Sequence, residues 1–136
     1  MPRLPLFYVI AAAFNLLVGV CLGIWMGIAH DFQLAPVHAH LNLLGWASLA
    51  LMGLVFRGWP ELGRAVLPSV VQFCLCVGAA ALFPAGIYLS IAHEAPGLAI
   101  GAALAWLAGV VLFLVRLVLL AVYAAPRRLS AMLPAE

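Results

Sequence analysis

Residues 98–123 read LAIGAALAWLAGVVLFLVRLVLLAVY, an apolar run interrupted by a single charge, Arg116. A helix rises about 1.5 Å per residue, so roughly 20 apolar residues carry it across a hydrocarbon core. This run is long enough to do so. Three further stretches pass the same test: Pro5 to Ile28, Val37 to Phe56 and Val66 to Ile91. The sequence therefore predicts an all-α membrane protein, a four-transmembrane-helix bundle forming one membrane domain over residues 1–136. The first run holds 24 residues, well beyond the roughly 7–15 of a signal-peptide core, and Ala29 and His30 make a poor cleavage site. It is read as a true span.

Composition points the same way. The chain is 68% hydrophobic and 7% charged, against about 25% charged in an average soluble domain, which excludes a water-soluble globule. Six arginines, no lysine and four carboxylates give a net charge of +2, too little basic surface to track a phosphate backbone, so no nucleic acid is expected as a partner. The bilayer is the expected partner instead. Cys21, Cys74 and Cys76 all lie inside apolar runs, which fits neither a disulfide framework nor a zinc motif, and they are read as small buried hydrophobes.

Arginine counting sets the expected orientation. Arg3 precedes the first span, Arg57 and Arg64 lie between the second and third, and Arg127 and Arg128 follow the fourth, while the other two loops have none. The positive-inside rule then puts both termini and the middle loop in the cytoplasm of a multi-pass cell-membrane protein. The outer loops, 29–36 and 92–97, are short, so consecutive helices run antiparallel.

All four histidines fall on the outer side. His30, His38 and His40 surround the start of the second span and His93 closes the third; Asp31 and Glu94 accompany them. His30 and His93 read mainly as interfacial loop residues and as secondary metal-ligand candidates. His38 and His40 are different. Pro36 marks the first turn of the second span, which puts His40 roughly 6 Å inside it, where a bare imidazole needs a partner or a metal. Two residues apart on a helix, the pair points about 200° apart, so they cannot grip one ion together. Asn42 and Gly45 follow on the His38 side; Leu44, Ala47 and Ser48 follow on the His40 side. Small residues beneath each ring leave room for a flat cofactor.

The segment HAHLNLLGWASLALMG, residues 38–53, resembles one helix of the catalytic subunit of heme-copper oxidases, in particular the C-type oxidases and their nitric oxide reductase relatives. The matching residues are His38, His40, Leu44, Gly45 and Trp46. The resemblance implies that both histidines are axial ligands of heme b iron, the first for a high-spin and the second for a low-spin heme on opposite sides of the helix. It spans 16 of 136 residues. The family's histidine pair for copper, its histidine followed by tyrosine and its glutamate cluster have no counterpart here, so oxidase or nitric oxide reductase activity by one chain alone is not expected.

The family fold has twelve helices in three similar arcs of four, so the resemblance also suggests a homotrimer in which His38 of one subunit and His40 of the next clamp one iron. Electron transfer is the function this implies, with the histidines, Asn42 and Gly45 as the cofactor-binding set. Two alternatives carry different chemistry. In one, the same histidines with His93 and Met26 hold copper for delivery to an oxidase. In the other, the chain is a structural assembly subunit of a respiratory oxidase with vestigial histidines.

The remaining polar and small residues have structural readings. Gly19, Gly23 and Gly27, with Asn15 one turn earlier, form a stripe that lets backbones approach, as do Gly97 and Gly101. Asn15 is expected to bond a neighbouring helix. Arg116, near the cytoplasmic end of its span, is expected to snorkel to the headgroups, and Trp106 to serve packing.

Overall fold

The computed structural model describes the backbone of residues 3–130 and the side chains of residues 3–123. Arg127 and Arg128, used above to orient the chain, lie outside the described side chains. Among the described residues, four helices are long and apolar enough to cross a membrane. We number them α1 (Leu4–Ala29), α2 (Ala35–Gly58), α3 (Val66–His93) and α4 (Gly97–Ser130). A 3₁₀ turn, Pro60–Gly63, joins α2 to α3.

Helix ends follow local chemistry. Prolines stand in the first turns of α1 and α2, where the missing N–H removes no helical bond. The two ends that carry histidines stop in the left-handed region at non-glycine residues, His30 at φ 51° and Glu94 at φ 52°. Beyond Glu94, the Ala95 N–H bonds back to the Leu89 carbonyl and closes the helix end.

Two hairpins form the bundle: α1 packs along α2, α3 along α4, and α2 meets α3 between them. The core lies toward the arginine-bearing end. There Tyr8 stacks on Phe56 with ring centroids 5.5 Å apart and meets Phe73 edge-on at 5.0 Å, among Leu4, Leu49, Met52, Leu62 and Cys76. Trp106 packs against this core as expected. The outward faces are apolar, with Leu6, Phe14, Ile24, Leu54, Leu104 and Leu114 all exposed. Large contiguous apolar surfaces of this kind suit lipid rather than water.

Four expectations are corrected. Cys76 is buried, but Cys21 and Cys74 face outward, because helices apolar all round give no sequence signal for which side turns in. A Cβ on Gly97 or Gly101 would meet nothing, so neither makes a close crossing; α3 and α4 approach instead at Gly86, against the Ala99 backbone, and at Gly109, against Cys76. Asn15 bonds the Ala11 carbonyl of its own helix at 2.9 Å rather than a neighbour.

Arg116 does not snorkel. It is only 9% exposed and turns into the bundle, where Nη1 donates to Gln72 Oε1 at 2.7 Å and Nη2 donates to Ser69 Oγ at 2.8 Å and to the Leu62 carbonyl. Its guanidinium lies 5.1 Å from the Phe56 ring centroid, a cation–π contact. Those acceptors satisfy the charge locally and tie the Pro60–Gly63 turn to α3 and α4.

Candidate histidine site on the second helix

The first turn of α2, Ala35–His40, is α-helical, but Leu41–Ser48 winds as a π-helix before α geometry resumes at Leu49. Such segments are rare, usually a single turn, and concentrate at functional sites. This one runs for eight residues directly below the two histidines. The Ser48 hydroxyl donates to the Leu43 carbonyl five residues back, at 2.8 Å. Nothing in the hydropathy pattern signals this, since π and α turns both accept an apolar run.

His38 faces α1. Its Nδ1 lies 2.9 Å from the Gly19 carbonyl oxygen, and because a carbonyl can only accept, Nδ1 carries the proton. Its Nε2 is then an unprotonated lone pair. The recess holding the ring is made by glycine: a Cβ on Gly23 would sit 2.8 Å from His38 Cε1. Asn42, one turn on, donates to the His38 carbonyl at 2.8 Å, and its Nδ2 is 3.5 Å from Nδ1 and 3.4 Å from Nε2. With the proton on Nδ1, the Asn42 amide can donate only to Nε2, at 3.4 Å, a long bond that positions the ring and that an incoming ligand would displace.

The same face continues downward. Gly19 accommodates the Asn42 side chain and Gly45 accommodates Asn15, whose Cγ would lie 2.5 Å from a Cβ at position 45. Gly45 therefore shares the α1 side with His38 and Asn42, and its role is to admit Asn15. The Gly19 and Gly23 part of the α1 stripe serves close packing, as its spacing suggested, whereas Gly27 meets nothing.

His40 faces α3. Its Nδ1 donates to the Pro36 carbonyl at 2.7 Å, which again fixes the Nδ1–H tautomer and leaves Nε2 as a lone pair. Its ring lies against Phe83, centroids 4.8 Å apart and planes tilted by 35°. Both imidazoles are part-exposed at the bundle surface. They thus serve two different crevices, as the 200° argument required.

The two outer histidines stand apart in character. His30 is an exposed helix cap, and His93 is exposed at the end of α3 with its ring edge-on to Tyr88, centroids 6.3 Å apart. Among the described residues, no three histidine, cysteine or carboxylate side chains gather as a metal cluster. A copper site built from His38, His40 and His93 has no common centre, since His38 turns to α1 and His40 to α3.

An axial heme ligand asks less: one neutral imidazole with a free Nε2 and an Nδ1 held by an acceptor. His40 meets that requirement as it stands and His38 meets it once the long Asn42 contact is displaced; the two face different helices and do not share a centre within the chain. No family model, no curated protein and no solved structure matches the chain. The likeness of residues 38–53 to the oxidase helix therefore rests on those residues themselves.

Proposed function

We propose that this chain is a membrane-embedded b-type heme protein that carries electrons, with His38 and His40 as axial ligands contributed to separate hemes. The observation carrying this reading is the matched tautomer of the two rings: each has its Nδ1–H tied to a backbone carbonyl and its Nε2 unprotonated, on opposite sides of one helix. Heme would supply reversible one-electron chemistry, its potential set by ligand identity, burial and hydrogen bonding.

The chain's own residues do the rest. The Gly19 carbonyl keeps the His38 ring from rotating and makes Nε2 more basic; the Pro36 carbonyl does the same for His40. Asn42 steadies the His38 ring, Gly23 gives it space, and the Phe83 face supports His40. Two imidazoles on one iron leave no open position, which favours electron transfer over gas chemistry.

Since one chain offers its imidazoles to different crevices, a bis-imidazole site takes His38 from one subunit and His40 from another. A closed ring satisfies every histidine, and three chains of four helices reproduce the twelve-helix arrangement of the family that residues 38–53 resemble. We place this assembly in the cell membrane with both termini cytoplasmic and the histidines toward the outer face, following the arginine distribution.

The test is heme content joined to oligomeric state. Protein expressed with ample heme and isolated in mild detergent is expected to hold one heme b per chain in a trimer by native mass spectrometry. A heme-free species, or a heme-loaded monomer with both histidines on one iron, contradicts the reading.

A further inference from the structure

At the end of the bundle opposite the histidines, α1 and α2 enclose a groove of about 230 Å³ with two arginines at its rim and apolar walls below. Arg3 and Arg57 supply the rim; Leu6, Val9 and Leu54 supply the walls. The floor is set by Gly53, where a Cβ would lie 3.0 Å from both the Pro5 carbonyl oxygen and Tyr8 Cβ, so the helices close tightly behind the groove. We infer that this groove binds an anionic phospholipid, its phosphate between Arg3 and Arg57 and an acyl chain along Leu6, Val9 and Leu54.

Three observations select that occupant. First, the rim charge is uncompensated: the only described carboxylate at this end, Glu61, lies 3.9 Å from Arg64, and no ion pair forms with Arg3 or Arg57 among the described residues. Second, Arg3 stands as the N-cap of α1 with no acidic residue in the first turn, so a cation sits at the positive end of the helix dipole. That arrangement is self-repelling unless an anion joins it, and a helix N-terminus with an adjacent guanidinium attracts one. Third, the walls are outward-facing and apolar, with Leu6 and Leu54 both exposed, which suits an alkyl chain and not a free inorganic ion. Basic pockets between helices on the cytoplasmic side are recognised lipid sites.

The inference rests on the membrane reading of the four helices, and the experiment separates the two. Purified protein is first floated with phosphatidylcholine vesicles; failure to co-float overturns the membrane reading and the lipid site with it. Lipid retention is then measured by native mass spectrometry with dioleoyl-phosphatidylglycerol, dioleoyl-phosphatidylcholine, or phosphatidylglycerol in excess inorganic phosphate. Wild type is expected to retain phosphatidylglycerol preferentially, by roughly fivefold for each arginine, and inorganic phosphate is expected not to displace it.

The double variant Arg3→Gln, Arg57→Gln is expected to lose that preference, and Arg64→Gln to keep it. Leu54→Trp, which fills the groove and leaves both arginines, is expected to abolish retention without changing the rim charge. Equal retention of the two lipids by wild type, displacement by phosphate alone, a preference surviving in the double variant, or occupancy by a second copy of the chain in place of lipid would each overturn the inference.

Discussion

The glycines separate the chain's packing into grades that alanine can read. At Gly86 the new methyl would lie 2.5 Å from the Ala99 nitrogen and 2.7 Å from its Cα. Both are backbone atoms of α4 and cannot swing aside, so α3 and α4 must part. Overpacking of this kind costs about 1–3 kcal/mol or more, against a gain of about 1 kcal/mol for replacing glycine in a helix. With two backbone atoms in the way, Gly86→Ala falls at the upper end and is expected to lose about 2 kcal/mol net.

Gly45→Ala pushes on Asn15 Cβ at 2.6 Å, a short stem that moves only with α1, and is expected to lose about 1 kcal/mol. At Gly23 the obstacle is the tip of the His38 ring, which needs to retreat by roughly 0.6 Å to reach ordinary contact near 3.4 Å. That movement forfeits the bond to Gly19, about 1 kcal/mol, and roughly cancels the helical gain. Gly101→Ala meets nothing and is expected to gain up to about 1 kcal/mol. Thermal unfolding followed by circular dichroism in one detergent should give midpoints in the order Gly101→Ala, Gly23→Ala, Gly45→Ala, Gly86→Ala, with about 4 °C for each kcal/mol. A Gly86→Ala midpoint at or above that of Gly101→Ala would refute the packing argument.

Three further outcomes are expected. Arg116→Met leaves the buried Gln72 Oε1 without its donor, while the Leu62 carbonyl keeps the Ser69 hydroxyl, and should lower stability by about 2 kcal/mol, with Arg116→Lys intermediate because an ammonium keeps the charge but lacks the planar fork; an unchanged unfolding midpoint would contradict the buried geometry. Glu94→Gly relieves a left-handed residue and should raise stability by about 1 kcal/mol, whereas a loss would show that the Glu94 side chain matters more than its backbone. A lipid-soluble maleimide should label Cys21 and Cys74 in native protein and spare Cys76 until unfolding, as peptide mass mapping would report; equal labelling of all three would contradict their placement.

Much of this architecture is legible in the residues because lipid leaves the backbone few choices. An apolar run in a bilayer must close its own hydrogen bonds, so the length of the run nearly gives the helix: Val66 to Ile91 became Val66–His93, and Pro5 to Ile28 became Leu4–Ala29. The divergence of His38 and His40 was equally legible, because it follows from helical period alone.

Lateral facing was not legible. In helices apolar on every side no stripe marks the inward face, so nothing distinguished Gly86, which crosses α4, from Gly101, which crosses nothing. Nor did anything mark Arg116 as turning inward: its partners, Gln72, Ser69 and the Leu62 carbonyl, come from segments 44 to 54 residues away. The π-segment at Leu41–Ser48 was also hidden, since an apolar run fits α and π turns alike. The Nδ1 anchors needed the structure as well, because both acceptors are backbone carbonyls that any residue supplies.

On the proposed reading two imidazoles, each held as the Nδ1–H tautomer with an unprotonated Nε2, bind heme iron. The most direct test of that reading is the dithionite-reduced minus oxidised absorption spectrum of heme-replete protein beside His38→Ala and His40→Ala. We expect a sharp reduced α band in wild type that is lost in each variant while the helical content by circular dichroism is unchanged. A colourless wild type, or a band that survives both substitutions, would contradict the account.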